Sequence, residues 1–86
     1  MLADFRDTFA FVRVVQHGSF SAAALALGVP KTRISRKVQA LKIPPGVSLL
    51  KRTTRRLGLT EPGRIYFERC SLFLAELANA EQAAAI

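Results

Sequence analysis

The chain has 86 residues, half of them hydrophobic, with thirteen Lys and Arg against six Asp and Glu, for a net charge of +7. That length accommodates one small core and not two, and no run approaches the roughly 18 apolar residues of a membrane span. A single cysteine and a single histidine exclude an internal disulfide and offer little ligand capacity for a metal, so neither metal nor other cofactor is expected.

The amino terminus lacks the basic-then-apolar order of a signal peptide, and the protein is expected to be soluble and cytoplasmic. Charge is segregated along the chain. Between Thr8 and Thr60 there is no carboxylate, whereas Arg13, Lys31, Arg33, Arg36, Lys37, Lys42, Lys51, Arg52, Arg55 and Arg56 all lie there. A solvated surface usually interleaves both signs, so this segregation points to a polyanionic partner. The basic residues are not backed by one long amphipathic helix, which argues against a membrane surface.

Asp4 is placed to cap a first helix over Phe5–His17, in which Phe5, Phe9 and Val12 recur at helical spacing before Gly18 offers a left-handed stop. Ser19 or Ser21 then caps a short second helix, rich in small residues (Ala22, Ala23, Ala24, Ala26) that admit a close neighbour, and Gly28 ends it. Val29-Pro30 breaks the chain. Ile34, Val38 and Leu41 next define the apolar side of a third helix from about Lys31 to Leu41. Two such helices joined by a short Gly-containing turn make a helix-turn-helix, whose second helix enters the major groove. The polar side of that helix carries Lys31, Thr32, Arg33, Ser35, Arg36 and Lys37, four cations and two hydroxyls without an acid.

Pro44-Pro45-Gly46 turns the chain again. Val47, Leu49 and Leu50 on one side and Leu57 and Leu59 on the other flank Lys51-Arg52-Thr53-Thr54-Arg55-Arg56. Two short apolar strands around a basic tip predict a β-hairpin wing that reaches phosphates or the minor groove. Thr60, Glu61 and Pro62 signal the start of a last helix, which meets no breaker before about Ala83. Along it Tyr66, Cys70, Phe73, Leu77, Ala80 and Ala84 alternate steps of four and three, a coiled-coil seam, with Phe67 and Leu74 as a second apolar row. One row can close the core while the other awaits a second copy, and a homodimer through this helix is expected.

The ordered set GSFSAAALALGVPKTRISRKVQAL and GVSLLKRTTRRLGLTEPG resembles the LysR-type transcriptional regulators over residues 4 to 77. The resemblance implies a mainly α fold: a winged helix-turn-helix (three helices and a short hairpin) over residues 1–59 and a long dimerising linker helix over 60–86. It also implies an effector-binding domain that is not in this chain, so the chain is expected to be a truncated piece, with any small-molecule effector acting only through the missing part.

Carried over by position, Lys31, Thr32, Arg33 and Arg36 face the groove. Lys31 and Arg33 pair with guanine or phosphate, Thr32 meets a base edge or thymine methyl, and Arg36 holds backbone or base. Ser35, Ser21 and the backbone at the start of the second helix meet phosphate, as do Arg52, Thr53 and Thr54, with Arg55 or Arg56 at the minor groove. Three positions depart from the family pattern: Pro30 where Ser or Thr often caps, Lys42 where Glu is frequent, and Pro45 where Leu is frequent.

The expected function is sequence-specific binding of double-stranded DNA by a homodimer, at an interrupted, imperfect palindrome, with Tyr66, Cys70, Phe73, Leu77 and Ala80 forming the dimer contact. The alternative is a basic dimeric scaffold that docks an acidic protein. Enzymatic chemistry is not expected, since no carboxylate lies between Asp7 and Glu61 to act as base or orienting group.

Overall fold

The computed structural model describes residues 4–41, 43–44, 46–51 and 57–85. Four helices follow in order: α1 (Phe5–His17), α2 (Phe20–Leu27), α3 (Lys31–Gln39) and α4 (Glu61–Ala84).

Local chemistry sets most of their ends. The Asp4 carboxylate accepts the Arg6 backbone N–H at 2.8 Å, and Ser19 Oγ accepts that of Ala22 at 3.0 Å, each satisfying a first-turn donor that has no intrahelical acceptor. Ser19, not Ser21, is therefore the cap of α2. Gly18 and Gly28 close α1 and α2 in the left-handed region, at φ 83° and 69°, where a Cβ is strained. Pro30 supplies no side-chain cap, yet α3 still begins at Lys31, because proline's fixed φ suits a helix entrance and the Pro30 carbonyl accepts from Arg33 at 3.0 Å. The expected register of α3 is retained. Its carboxyl end comes two residues before Leu41, which leaves the helix to join the core at 9% exposure.

Two groups of buried side chains hold the helices. Val14, Ala23, Ala24 and Ile34 knit α1, α2 and α3, with Phe20, Val29 and Leu57 around them. Phe11, Val12, Leu41 and Leu49 form the other group, onto which Tyr66, Phe67, Cys70 and Leu74 of α4 pack. Phe5 meets Phe73 edge-on at 6.2 Å, and Phe11 meets Tyr66 at 5.6 Å, so α1 and α4 run antiparallel. The seam of α4 is thus divided by position along the helix: Tyr66 and Cys70 lie on the chain's own core, together with Phe67 and Leu74 of the second row, while Phe73 and Leu77 stand 56% and 40% exposed. The cause is length. A 24-residue helix extends about 36 Å, and only its first half has α1 to cover it.

What is described of the expected hairpin is its base. Leu50 and Leu59 form an isolated antiparallel bridge, with Lys51 N–H donating to the Gly58 carbonyl at 2.9 Å and Thr60 N–H to the Leu49 carbonyl at 3.1 Å. Among the described residues the pairing ends at Thr60, which is committed to α4. Its hydroxyl accepts from Gly63 N–H at 3.0 Å and donates to the Ser48 carbonyl. Arg52, Thr53, Thr54, Arg55 and Arg56, with Lys42 and Pro45, lie outside the described residues.

Candidate nucleic-acid interface

The 3.6-residue repeat divides α3 sharply. Ile34 is 3% exposed and faces α1 and α2, whereas Lys31, Thr32, Arg33 and Arg36 are exposed and Ser35 is half-buried at the margin. Thr32, Arg33, Arg36 and Lys37, with Pro30, line one open depression on the outer side of the helix. Lys37 was legible as part of the polar side, and its place beside Thr32 and Arg36 makes it a member of the cluster. Among the described residues none of these cations forms an ion pair; the ion pairs are Arg6–Asp4 and Arg64 with Glu61 and Glu68. A cation without a carboxylate partner is available to an external anion. The first turn of α3 also contains no acid and no side-chain cap, so its positive dipole end is uncompensated. Ser21, released from capping by Ser19, is exposed in the first turn of α2.

Three of the carboxylates have arginine partners of their own. Arg6 hydrogen-bonds Asp4 and holds its carboxyl below the ordinary value. At the start of α4, Arg64 does the same for Glu61 and also bonds Glu68. These pairs are exposed and contribute little to stability.

Of the five residues expected at a dimer contact, Tyr66 and Cys70 are partly buried, and Phe73, Leu77 and Ala80 are exposed. The Tyr66 hydroxyl and Thr8 Oγ1 share a hydrogen bond of 2.9 Å, fixing α4 to α1. Burial pushes the Cys70 thiol above its ordinary value, with a hydrogen bond from Tyr66 acting in the opposite direction. A raised thiol has less thiolate at neutral pH. Cys70 should consequently alkylate with iodoacetamide several-fold more slowly than a free cysteine peptide at pH 8, read by mass spectrometry. An equal rate would show that α4 does not stay on α1.

A compact helix pair joined by a left-handed glycine turn, with a cation-rich exposed second helix, defines a helix-turn-helix domain. A profile of the bacterial regulatory helix-turn-helix proteins, lysR family, matches residues 5–64. An HTH-type transcriptional regulator of Xanthomonas campestris pv. campestris (strain 8004) is 55% identical over 83 residues, which are 96% of this chain and 24% of that protein. Among solved structures, CrgA, a LysR-type transcriptional regulator from Neisseria meningitidis, superposes with a TM-score of 0.77 at 44% identity, covering 95% of this chain and 28% of that one. A BenM DBD crystallised in complex with benA site 1 DNA superposes with a TM-score of 0.86 at 27% identity, covering 95% and 92% of the two chains. The chain belongs to the lysR family of bacterial regulatory helix-turn-helix proteins. It spans about a quarter of the length of the curated relatives it matches, 24% of both the Xanthomonas protein and CrgA. No single helix among the described residues is long and apolar enough to cross a membrane.

Proposed function

We propose that this chain is the DNA-reading part of a transcription regulator and binds duplex DNA sequence-specifically as a homodimer. The observation that carries the reading is the exposed face of α3, where Lys31, Thr32, Arg33 and Arg36 lie together and, among the described residues, form no ion pair. The likeness to a BenM DBD in complex with DNA supports it. In this reading the cations neutralise phosphate for affinity, while Arg33, Arg36 and Thr32 meet base edges in the major groove. Ser35 and Ser21 hold phosphate. Residues 1–59 form the reading domain, in which Arg52, Thr53 and Thr54 meet phosphate and Arg55 or Arg56 the minor groove, and residues 60–86 form the linker. The activity is binding and not catalysis, in the cytoplasm.

The test is selection from a random duplex library at two salt concentrations, followed by sequencing of the bound fragments. Enrichment of two related half-sites, with affinity falling steeply as salt rises, is the expected result. Salt-sensitive binding without enrichment would overturn sequence reading, and absence of binding would favour a scaffold that docks an acidic protein.

Dimerisation is assigned to the outer half of α4. Leu72, Phe73 and Leu77 are 67%, 56% and 40% exposed on one helix, and large exposed apolar side chains gathered on one element mark an interface. Phe73→Glu with Leu77→Glu should convert the dimer to a folded monomer in sedimentation equilibrium, with the far-ultraviolet spectrum unchanged. A dimer that survives both changes would place the contact elsewhere.

A further inference from the structure

A groove of about 260 Å³ opens between the start of α1, the end of α2 and the side of α3. Its walls are carbon: Phe5 and Phe9 from α1, Leu27 from the end of α2, Val29 from the turn after it, and Ile34 from α3. The two phenyl rings lie 6.2 Å apart, so this wall is aromatic. Arg33 and Lys37, one helical turn apart on α3, line the same groove, as does Arg6. No carboxylate lines it. Asp4 feels the charge of Lys37, but its hydrogen bonds go to Arg6.

We propose that this groove is a binding site for an amphipathic organic anion, an apolar body of about a dozen heavy atoms bearing one carboxylate. Three features select that chemistry. The volume is that of a small ligand and falls short of an inserted helix. The apolar walls reward a hydrocarbon or aromatic body through removal of carbon surface from water. Arg33 and Lys37, which form no ion pair among the described residues, then meet the carboxylate at the margin, where the fork of a guanidinium matches it in bidentate geometry. The site adjoins α4 only through Phe5, which meets Phe73 edge-on, and its apolar part is separate from the outward side of α3. It shares only cations with the surface proposed to read DNA.

That sharing has a consequence, which rests on the proposed function while the site itself does not. An anion held by Arg33 and Lys37 occupies cations that otherwise meet phosphate or base, so ligand and duplex compete. Bound anion would lower duplex affinity without any further domain.

The experiment uses 2-naphthoate as probe, followed by backbone amide chemical shifts of the 86-residue protein without DNA. Saturable shifts centred on Phe9, Leu27, Val29 and Arg33 are expected, in the high-micromolar range. The neutral isostere 2-naphthalenemethanol should bind at least about tenfold more weakly, since it lacks the charge. Lys37→Gln should weaken the acid but not the alcohol, and Leu27→Glu, at an exposed position, should abolish both while leaving the spectrum of α4 in place. Equal binding of acid and alcohol, shifts centred on Leu72 to Leu77, or no saturation would overturn the assignment. A second titration, of naphthoate into a duplex complex read by anisotropy, then tests competition alone. Amide shifts in the groove without displacement of DNA would retain the site and overturn the coupling, and a protein that bound no duplex would still report on the groove.

Discussion

Gly63→Ala should destabilise the domain by about 3 kcal/mol, although alanine is the better helix former by about 1 kcal/mol at an unconstrained site. The sign is set by one contact. A Cβ at Gly63 would sit 2.0 Å from the Leu49 carbonyl oxygen and 2.9 Å from its carbon, and both belong to backbone, so no side chain can swing away. The same carbonyl accepts from Thr60 N–H at 3.1 Å, and the Thr60 hydroxyl is tied to Ser48. Relief therefore requires α4 to lift off the base of the hairpin, which breaks the first-turn bonds and exposes Leu49, buried at 8%. Urea unfolding followed by far-ultraviolet dichroism measures the effect. An unchanged midpoint would mean that α4 and the hairpin base are not in contact in solution.

The second large effect is on binding. Arg33→Ala together with Arg36→Ala should cost about 2 to 6 kcal/mol on the selected operator, taking about 1 to 3 kcal/mol for each base-reading arginine. Stability should hardly change, since both side chains are exposed and neither forms an ion pair among the described residues. Anisotropy on the operator and on a random duplex, at two salt concentrations, separates the roles. If the pair reads bases, the operator loses far more affinity than the random duplex. Equal losses on both, with the salt slope reduced by about 2, would assign the arginines to phosphate alone.

Much of the fold was legible in residues that act on their immediate neighbours. Asp4, Thr60 and the glycines at 18 and 28 place helix ends through bonds or dihedral angles within a few residues of themselves, and these ends fall where the sequence puts them. The basic face of α3 was legible for a similar reason, because helical periodicity alone puts Ile34 opposite Thr32 and Arg36. The choice between Ser19 and Ser21 as cap was open in the sequence, since both have the chemistry, and the observed start of α2 at Phe20 decided it.

Other features depended on partners distant in the chain. No periodicity in α4 reveals that Tyr66 bonds Thr8, or that Gly63 rests on Leu49. The groove likewise joins Phe5, Leu27 and Lys37, which share no motif. Sequence by itself determined the helices, their polar and apolar sides and the family, because hydrophobic period, capping and charge sign are local properties. Only the tertiary structure decided which half of the α4 seam is spent inside the domain: that depends on where α1 ends against α4, and so on non-local packing of side chains that local pattern does not encode.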